Sequence, residues 1–316
     1  MTRVLNVGVI GAGYWGKKHV EEYARIGADV FVADLSDENL KLCRERFGAK
    51  TTKNYMDVLA DDKVRFVSVC TPNDSHYPLC KEALEAGKHV LVEKPLCKTV
   101  EEGRDLIKTA LRNEVALVVG HVFRFNCAVN KIRDMLKRKE FGEIFMAKLK
   151  WTNLEPVFHD RDVIFDLAPH PFDLVDYLFG KTPDEISCIG NSFRQKKVLE
   201  AAFINARIED VLVSIELSWI TPKKERSLVL VGSKKSAFVD LGQQKITLYD
   251  NATNVFSELD IVANNTIQDE LLGFIHSAQN KTESIADAEV GLKSIQMIAL
   301  AEQSNREKKT LSLKFA

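Results

Sequence analysis

The chain has 316 residues, of which 45% are hydrophobic and 28% charged, and it contains 16 Gly and 8 Pro. This composition excludes disordered and fibrous proteins, and the length predicts about two domains. The 44 Lys and Arg nearly balance the 45 Asp and Glu, which gives no basis for nucleic-acid binding. No apolar run is long enough to cross a bilayer, and the first residues lead directly into a strand pattern. We therefore expect no membrane partner, no signal peptide and a cytoplasmic location.

Six cysteines lie along the chain without C-x-x-C spacing or a neighbouring His cluster, at Cys43, Cys70, Cys80, Cys97, Cys127 and Cys188. Such spacing is typical of small core residues in a reducing compartment. We therefore expect free thiols and no metal site.

The first 120 residues alternate short apolar runs with helical patterns. The predicted strands are Val4–Ile10, Asp29–Ala33, Val64–Cys70, His89–Val92 and Val115–Val119. The predicted helices are Tyr14–Ile26, Asp37–Phe47 (with Ser36 as N-cap and Gly48 as stop), Ser75–Ala86 and Val100–Leu111. This alternation indicates right-handed crossovers and a doubly wound parallel sheet.

After Gly120 the pattern changes. A helix (Val129–Lys139), a strand (Ile144–Trp151) and a helix around Phe172–Leu178 precede consecutive strand-like runs between residues 185 and 262, and the helices Ile267–Gln279 and Ala286–Asn305 close the chain. Consecutive strands without helices indicate a mixed, largely antiparallel sheet. We predict an α/β protein with a Rossmann dinucleotide-binding domain over residues 1–120. A second α/β domain, with a mixed and largely antiparallel open sheet, is predicted over residues 121–316.

A glycine-rich loop follows the first predicted strand. Its sequence, Gly11-Ala12-Gly13-Tyr14-Trp15-Gly16, opens a helix and matches a dinucleotide-binding loop, in which the helix N-terminus receives the pyrophosphate. Asp34 ends the next strand, where a carboxylate accepts hydrogen bonds from ribose hydroxyls and repels a 2′-phosphate. Because Leu35 and Ser36 supply no cation, the sequence favours NAD over NADP as cofactor.

Two further segments follow predicted strands at the same sheet edge. Thr71-Pro72-Asn73 and His76 follow one strand, and Glu93-Lys94-Pro95 follows the next. Ligands bind at the carboxyl ends of the strands in open α/β sheets, so we expect cofactor contacts from both segments. Ser75 is also a good helix N-cap.

A third cluster, Asp166-x-x-x-His170-x-x-Asp173, contains prolines at 169 and 171. Both prolines fit only the first turn of a helix, so a helix is predicted to begin near Ala168. His170 then lies in the first turn, where the helix dipole favours a neutral ring that can accept a proton. Asp166 and Asp173 would orient it.

Three of these segments carry a resemblance to a known family: the glycine loop, Glu93-Lys94-Pro95 and Asp166-x-x-x-His170-x-x-Asp173. Together they resemble the glucose–fructose oxidoreductase/inositol dehydrogenase (Gfo/Idh/MocA) family, and the similarity extends over essentially the whole chain. The resemblance implies a Rossmann domain and an α/β domain whose open sheet often forms the oligomer interface. It also implies that Lys94 and His170 lie at the reacting carbinol, that Asp166 or Asp173 supports them, and that nicotinamide binds at the glycine loop.

A narrower resemblance is to the nucleotide-sugar branch, which includes UDP-N-acetylglucosamine and UDP-N-acetylglucosaminuronate 3-dehydrogenases. It is carried by residues 13–17, 76–79, 166–170, 218–220 and 231–234. The chain departs from that branch at residues 163–165, where glycine is usual before the catalytic Asp. It departs again at Trp151 and Thr152, where an arginine is usual before Asn153.

These resemblances imply an NAD-dependent dehydrogenase of CH–OH groups, with C3 of a UDP-N-acetylhexosamine as the first choice of substrate. His170 would accept the hydroxyl proton and Lys94 would polarise the oxygen, although the residues leave open which of the two accepts the proton. One alternative is a free aldose, polyol or inositol dehydrogenase. The other is a nicotinamide-binding sensor without turnover, which the presence of both Lys94 and His170 disfavours.

Substrate contacts are expected from cationic and amide side chains, at Arg124, Asn126, Lys150, Asn153 and Arg161. The apolar runs Val211–Trp219 and Ser227–Val231 contain more apolar residues than one sheet face can bury against two helices. We therefore expect a homodimer or homotetramer.

Overall fold

The computed structural model describes residues 5–159 and 161–312. The first part of the chain forms a parallel sheet with helices between its strands. Its strands are β1 Asn6–Ile10, β2 Asp29–Ala33, β3 Lys50–Thr52, β4 Phe66–Val69, β5 His89–Val92 and β6 Leu117–Val119. Its helices are α1 Tyr14–Arg25, α2 Asp37–Phe47, α3 Tyr55–Leu59, α4 His76–Glu85 and α5 Val100–Arg112. The strand order β3-β2-β1-β4-β5-β6, with every pair parallel, is the doubly wound Rossmann order.

Local signals in the sequence explain most of these boundaries. The Ser36 side chain accepts a hydrogen bond from the Asn39 N–H, and Gly48 ends α2 in the left-handed conformation with φ of +68°, as predicted. The segment β3–α3 was not predicted. Its strand has three residues, Lys-Thr-Thr, with no apolar run, and it exists because it pairs with β2.

The rest of the chain contains a second sheet and further helices. The elements in chain order are α6 Cys127–Lys137, β7 Ile144–Leu154, α7 Val163–Leu167, α8 Pro169–Phe179, β8 Glu185–Asn191, β9 Ala201–Ile208, β10 Val211–Ser218, β11 Ile220–Gly232, β12 Lys235–Asp240, β13 Lys245–Asp250, β14 Val255–Leu259, α9 Thr266–Asn280, α10 Ala288–Glu307 and β15 Leu311–Ser312. Within the described ranges the sheet has the order β14-β13-β12-β11-β7-β10-β9-β8-β15. The β7–β10 pair is parallel and its other pairs are antiparallel, which confirms the predicted mixed sheet.

The chain divides into two compact units, but not as two contiguous segments. The first unit comprises the residues up to Val122 together with Asn265–Ile295, and the second comprises Phe123–Asn264 and the residues from Gln296 onward. The single predicted boundary after residue 120 therefore misses the return of α9 to the Rossmann unit. There Phe274 packs edge-to-face on Phe66 and the Gln268 side chain bonds Glu22. A helical pattern reveals an apolar face, but not which sheet will cover it.

The strands of the second sheet alternate buried and exposed side chains. Trp151, Ile215 and Leu230 point into the core, and Phe172 and Leu174 of α8 are buried with them. The opposite face carries exposed apolar side chains, among them Phe203, Leu212, Phe238 and Phe256. This face of the open sheet thus exposes several large apolar side chains.

No helix among the described residues is long and apolar enough to cross a membrane. All six cysteines are free thiols, as predicted; Cys70 and Cys127 are half-buried and the other four are buried.

Candidate active site

The glycine loop connects β1 to α1, and each glycine has a distinct steric role. Gly11 has φ of +88°, and a Cβ on Gly16 would lie 1.8 Å from the Gly11 carbonyl oxygen, so only glycine fits at 16. A Cβ on Gly13 would meet no protein atom within 4 Å. The loop therefore presents open space beside backbone N–H groups at a helix start, which fits a dinucleotide pyrophosphate.

A cavity of about 540 Å³ lies over this loop within the first unit. Of the predicted cofactor residues, Gly11, Gly13, Asp34, Thr71 and Pro72 line it. Asp34 is held there by backbone donors, because its Oδ2 accepts from the Ala12 N–H at 2.5 Å and its Oδ1 from the Ser36 N–H at 2.7 Å. This position in the wall suits contact with ribose hydroxyls.

The unpredicted β3–α3 segment also contributes to the cavity, through Lys53 and Tyr55. Lys53 is the kind of residue that would bind a 2′-phosphate, and the spacing around Asp34 gave no sign of it. Its Nζ lies 2.8 Å from Asp37 Oδ2 in an exposed ion pair. That pair partly neutralises the Lys53 cation in the cavity wall that also contains Asp34.

Residues after β4 both line the cavity and hold their own segment in shape through hydrogen bonds. Ser75 Oγ lies 2.8 Å from Thr71 Oγ1 and 2.7 Å from the Pro72 carbonyl, and it makes no side-chain cap for α4, contrary to the N-cap expectation. Asn73 opens the 3-10 turn Asn73–Ser75. The physical reason for the missing cap is that this turn directs the hydroxyl back toward Thr71.

His76 is fully buried and is absent from the lining of the cavity. Its Nδ1 lies 2.8 Å from the Pro95 carbonyl oxygen and its Nε2 2.9 Å from the Thr71 carbonyl oxygen, and burial lowers the pKa of His76. It therefore ties the end of β4 to the segment after β5, a positioning role. Tyr14 and Trp15 are also absent from the lining of the cavity. Both of their rings lie beneath the Lys18 ammonium.

Glu93 and Lys94 follow β5 at the same edge of the sheet as the glycine loop. Glu93 Oε1 lies 3.1 Å from His19 Nε2, and His19 Nδ1 lies 3.6 Å from Cys70 Sγ. One side-chain donor atom each of His19, Cys70 and Glu93 thus lies within 4.8 Å of the other two. The spacing of these residues in the sequence does not reveal this grouping. Desolvation and the Glu93 charge raise the pKa of Cys70. The network orients Glu93 beside Lys94, whose peptide bond to Pro95 is cis.

In the second unit, His170 lies in the first turn of α8, as predicted. Ala168 is the N-cap, so both prolines fall where no N–H is needed. His170 is 9% exposed as a residue, and its ring stacks on Trp151 at 5.9 Å and packs edge-to-face on Phe123 at 5.1 Å. The short helix α7, which was not predicted, precedes it and carries Asp166, whose Oδ1 lies 3.8 Å from Arg161 Nε.

Arg124 and Asp173 form a buried ion cluster. Arg124 Nε lies 2.6 Å from Asp173 Oδ1, and Nη2 lies 2.8 Å from Asp176 Oδ2. Burial raises the pKa of Asp173 to about 7 against the opposing effect of Arg124. With Arg124 only 5% exposed, this geometry favours a structural role for it over the expected contact with a phosphate, because the guanidinium already has two carboxylate partners.

Three other predicted substrate contacts, Asn126, Lys150 and Asn153, also have partners within the fold. The Asn126 side chain caps α6 through Ala128 and Val129 and donates to the Leu241 carbonyl, so its hydrogen-bonding groups are used within the fold. Lys150 lies within ion-pair distance of Glu216 and Glu225. Asn153 is held between Glu155 and Arg226.

Sequence reasoning missed Arg226 altogether. It lies on β11, and antiparallel pairing places it opposite Trp151 of β7. A guanidinium thus reaches Asn153 from the neighbouring strand, although Trp151 and Thr152, and no arginine, stand immediately before Asn153. Only the strand register could have identified it.

Comparison with known proteins places this arrangement in a family. A model described as an oxidoreductase family with an NAD-binding Rossmann fold matches residues 5–121, and a GFO/IDH/MocA C-terminal domain model matches residues 129–238. UDP-N-acetylglucosamine 3-dehydrogenase of Acidithiobacillus ferrooxidans is 27% identical over 248 residues, covering 78% of this chain and 77% of that protein. Myo-inositol 2-dehydrogenase of Thermotoga maritima is 24% identical over 214 residues, covering 65% and 64%.

Solved structures share the fold. The A. ferrooxidans enzyme superposes with a TM-score of 0.85 at 23% identity, over 95% of this chain and 97% of the other. A levoglucosan dehydrogenase in complex with NADH superposes with a TM-score of 0.89 at 18% identity, over 99% and 100%. The two matched family models together span more than half of the chain. The chain therefore belongs to the GFO/IDH/MocA family of NAD-binding oxidoreductases.

Proposed function

We propose that this chain oxidises a secondary alcohol of a sugar with NAD as hydride acceptor, and that its substrate is a UDP-N-acetylhexosamine, UDP-N-acetylglucosamine or its uronate, oxidised at C3. The observation that carries this proposal is the position of Lys94 at the carboxyl end of β5, on the sheet edge that bears the glycine loop. Bound NAD supplies the nicotinamide ring that accepts a hydride.

Each catalytic group has a role that its surroundings support. His170 accepts the hydroxyl proton, with its ring orientation fixed by Trp151 and Phe123. The Lys94 ammonium stabilises the developing negative charge on the substrate oxygen. Asp166 stands four residues before His170 and supports the ring, whereas Asp173 acts through the ion cluster with Arg124.

Arg161 and Asn153 remain the proposed substrate contacts among the sequence candidates. Arg161 is half-buried, lies over the Phe158 ring at 4.1 Å, and its Nε is 3.8 Å from Asp166 Oδ1. Its planar guanidinium is the kind of donor that matches a phosphate. Because Arg124 and Asn126 are engaged inside the fold, the second candidate function, dehydrogenation of a free aldose, polyol or inositol, also has support.

A substrate panel separates the two. The purified enzyme is supplied with NAD and with UDP-N-acetylglucosamine, its uronate, the corresponding free sugars, glucose or myo-inositol, and NADH formation is followed by absorbance. We expect the highest kcat/KM on a UDP-sugar. A higher kcat/KM on a free aldose or inositol would establish the second candidate in its place, and no turnover with any alcohol would support the sensor hypothesis.

We also propose that the enzyme is a homodimer or homotetramer assembled through the exposed face of the second sheet. On that face Phe256 lies 6.0 Å from Phe238 and 4.8 Å from Tyr249, ring centre to ring centre, and Phe256 is 62% exposed. Exposed apolar patches of this kind mark association surfaces. Light scattering at micromolar concentration should give a multiple of the 35.6 kDa chain mass; a monomer would refute this assembly.

A further inference from the structure

Arg226 lies on the face of the second sheet that carries the proposed general base. In the β7–β11 register Arg226 is opposite Trp151, and residues directly opposite in an antiparallel pair project from the same face. Arg226 Cζ is 5.8 Å from the Trp151 ring centre, and the Trp151 ring stacks on His170 at 5.9 Å with 24° between planes. One indole thus contacts both the guanidinium and the imidazole.

The guanidinium of Arg226 is held only by neutral oxygens. Nη1 lies 2.9 Å from the carbonyl oxygens of both Thr152 and Glu225, and Nη2 lies 2.8 Å from Asn153 Oδ1. Within residues 5–159 and 161–312, neither the Nε–H nor the second Nη2–H has an acceptor, and no carboxylate lies within ion-pair distance. This differs from Arg124, which has two carboxylate partners.

The electrostatic setting follows from that difference. Burial lowers the pKa of Arg226 to about 10, although the more distant carboxylates of Asp166 and Glu155 act in the opposite direction. Those two carboxylates are themselves engaged, Asp166 by Arg161 and Glu155 by the Asn153 amide. A half-buried cation with two unused donors gains most from an oxyanion, because planar donors match a phosphate or carboxylate edge.

We propose that Arg226 binds an anionic oxygen group of the substrate, a phosphate or a carboxylate, on the face of the sheet that holds Trp151 and His170. This rests on the proposed function in so far as the molecule bound is the enzyme's substrate. Asn153 and the two carbonyl oxygens hold the guanidinium in place before substrate arrives. The Nε–H and the remaining Nη2–H are the groups offered to the anion.

The test compares Arg226→Gln and Arg226→Lys with Arg207→Gln, an exposed arginine of the same sheet that is paired with Glu185. Substrates are UDP-N-acetylglucosamine (phosphates only), its uronate (both groups), N-acetylglucosaminuronate (carboxylate only) and N-acetylglucosamine (neither). For Arg226→Gln we expect KM for the anionic substrate to rise about tenfold to a hundredfold, with KM for NAD and kcat/KM for the neutral sugar within about twofold. Arg226→Lys should recover part of the loss and, by retaining a cation, keeps the test valid if the Gln variant does not fold. The substrate that loses affinity identifies whether phosphate or carboxylate is bound.

A second readout does not need turnover. Calorimetry measures binding of UDP, inorganic pyrophosphate and N-acetylglucosaminuronate to the NAD-bound protein. Loss of binding of at least one of these in Arg226→Gln, but not in Arg207→Gln, supports the inference even if the unmodified enzyme proves to prefer a neutral sugar. Equal losses for neutral and anionic molecules, or no loss for any, would overturn it and leave Arg226 as a strand-to-strand tie.

Discussion

The two units build their candidate sites from different materials. In the first unit the cofactor cavity is shaped by backbone: a turn that only glycine permits, the Ala12 N–H that holds Asp34, and open space beside Gly13. In the second unit the site is made of side chains from separate elements, with Trp151 on β7, His170 on α8 and Arg226 on β11. A backbone site is encoded in contiguous spacing, whereas a side-chain site depends on sheet register and burial. Substitutions should therefore act differently in the two units.

The largest effect is expected at the two side chains that we propose to be catalytic. Lys94→Met and His170→Asn should each lower kcat by about 10²–10⁴-fold while the protein still folds and binds NAD, because general acid–base and charge-stabilising groups act on the transition state. Lys98→Met is the matched control, since Lys98 is exposed and paired with Asp74. Steady-state kinetics on the best substrate measure this. Near-normal kcat in either variant would remove that residue from the mechanism.

The second prediction concerns the contribution of the buried Arg124–Asp173–Asp176 cluster to the free energy of unfolding. Arg124→Met leaves Asp173 and Asp176 without their cation, and loss of one partner of a buried pair costs about 3–5 kcal/mol. Lys181→Met, in the exposed pair with Glu209, should change the free energy of unfolding by about 1 kcal/mol or less. Urea denaturation measures both. An Arg124→Met protein of normal stability but raised substrate KM would restore Arg124 as a substrate ligand.

Two glycines of the same loop should have different roles, Gly16 in stability and Gly13 in NAD binding. Gly16→Ala should lower the free energy of unfolding by more than about 2 kcal/mol, because its Cβ would overlap the Gly11 carbonyl. Gly13→Ala should leave stability within about 1 kcal/mol. It should nevertheless raise the Kd for NAD about tenfold, because the methyl would occupy space left for the pyrophosphate. Thermal unfolding and NADH fluorescence titration test the pair, and tight NAD binding by Gly13→Ala would argue against this loop as the pyrophosphate site.

The smallest expected effect concerns the choice of cofactor. The unmodified protein should bind NADH more tightly than NADPH, and Asp34→Ser with Leu35→Arg should narrow that ratio about tenfold or reverse it. Fluorescence titration with both cofactors measures the ratio. Equal affinities in the unmodified protein would show that Lys53, in the same cavity wall, outweighs Asp34.

The contrast between local backbone signals and long-range side-chain contacts also explains which parts of the structure the sequence predicts. The strands and helices around Gly11, Ser36 and Gly48 agree with the prediction because caps and glycine turns are local signals. The placement of α9 on the first unit and the burial of Arg124 between two aspartates did not follow from local pattern, because both depend on which surfaces meet. The sequence alone does not identify Arg226, because the register of β7 and β11 joins residues 75 positions apart.

Hydride removal from C3 of a UDP-N-acetylhexosamine is tested most directly by an isotope label. UDP-N-acetylglucosamine or its uronate, whichever reacts faster, is prepared with deuterium at C3 and incubated with the enzyme and NAD. The resulting NADH is then examined by mass spectrometry. We expect one deuterium in each NADH formed. Unlabelled NADH from the C3-deuterated sugar, or no reduction of NAD by either nucleotide sugar, would contradict this function.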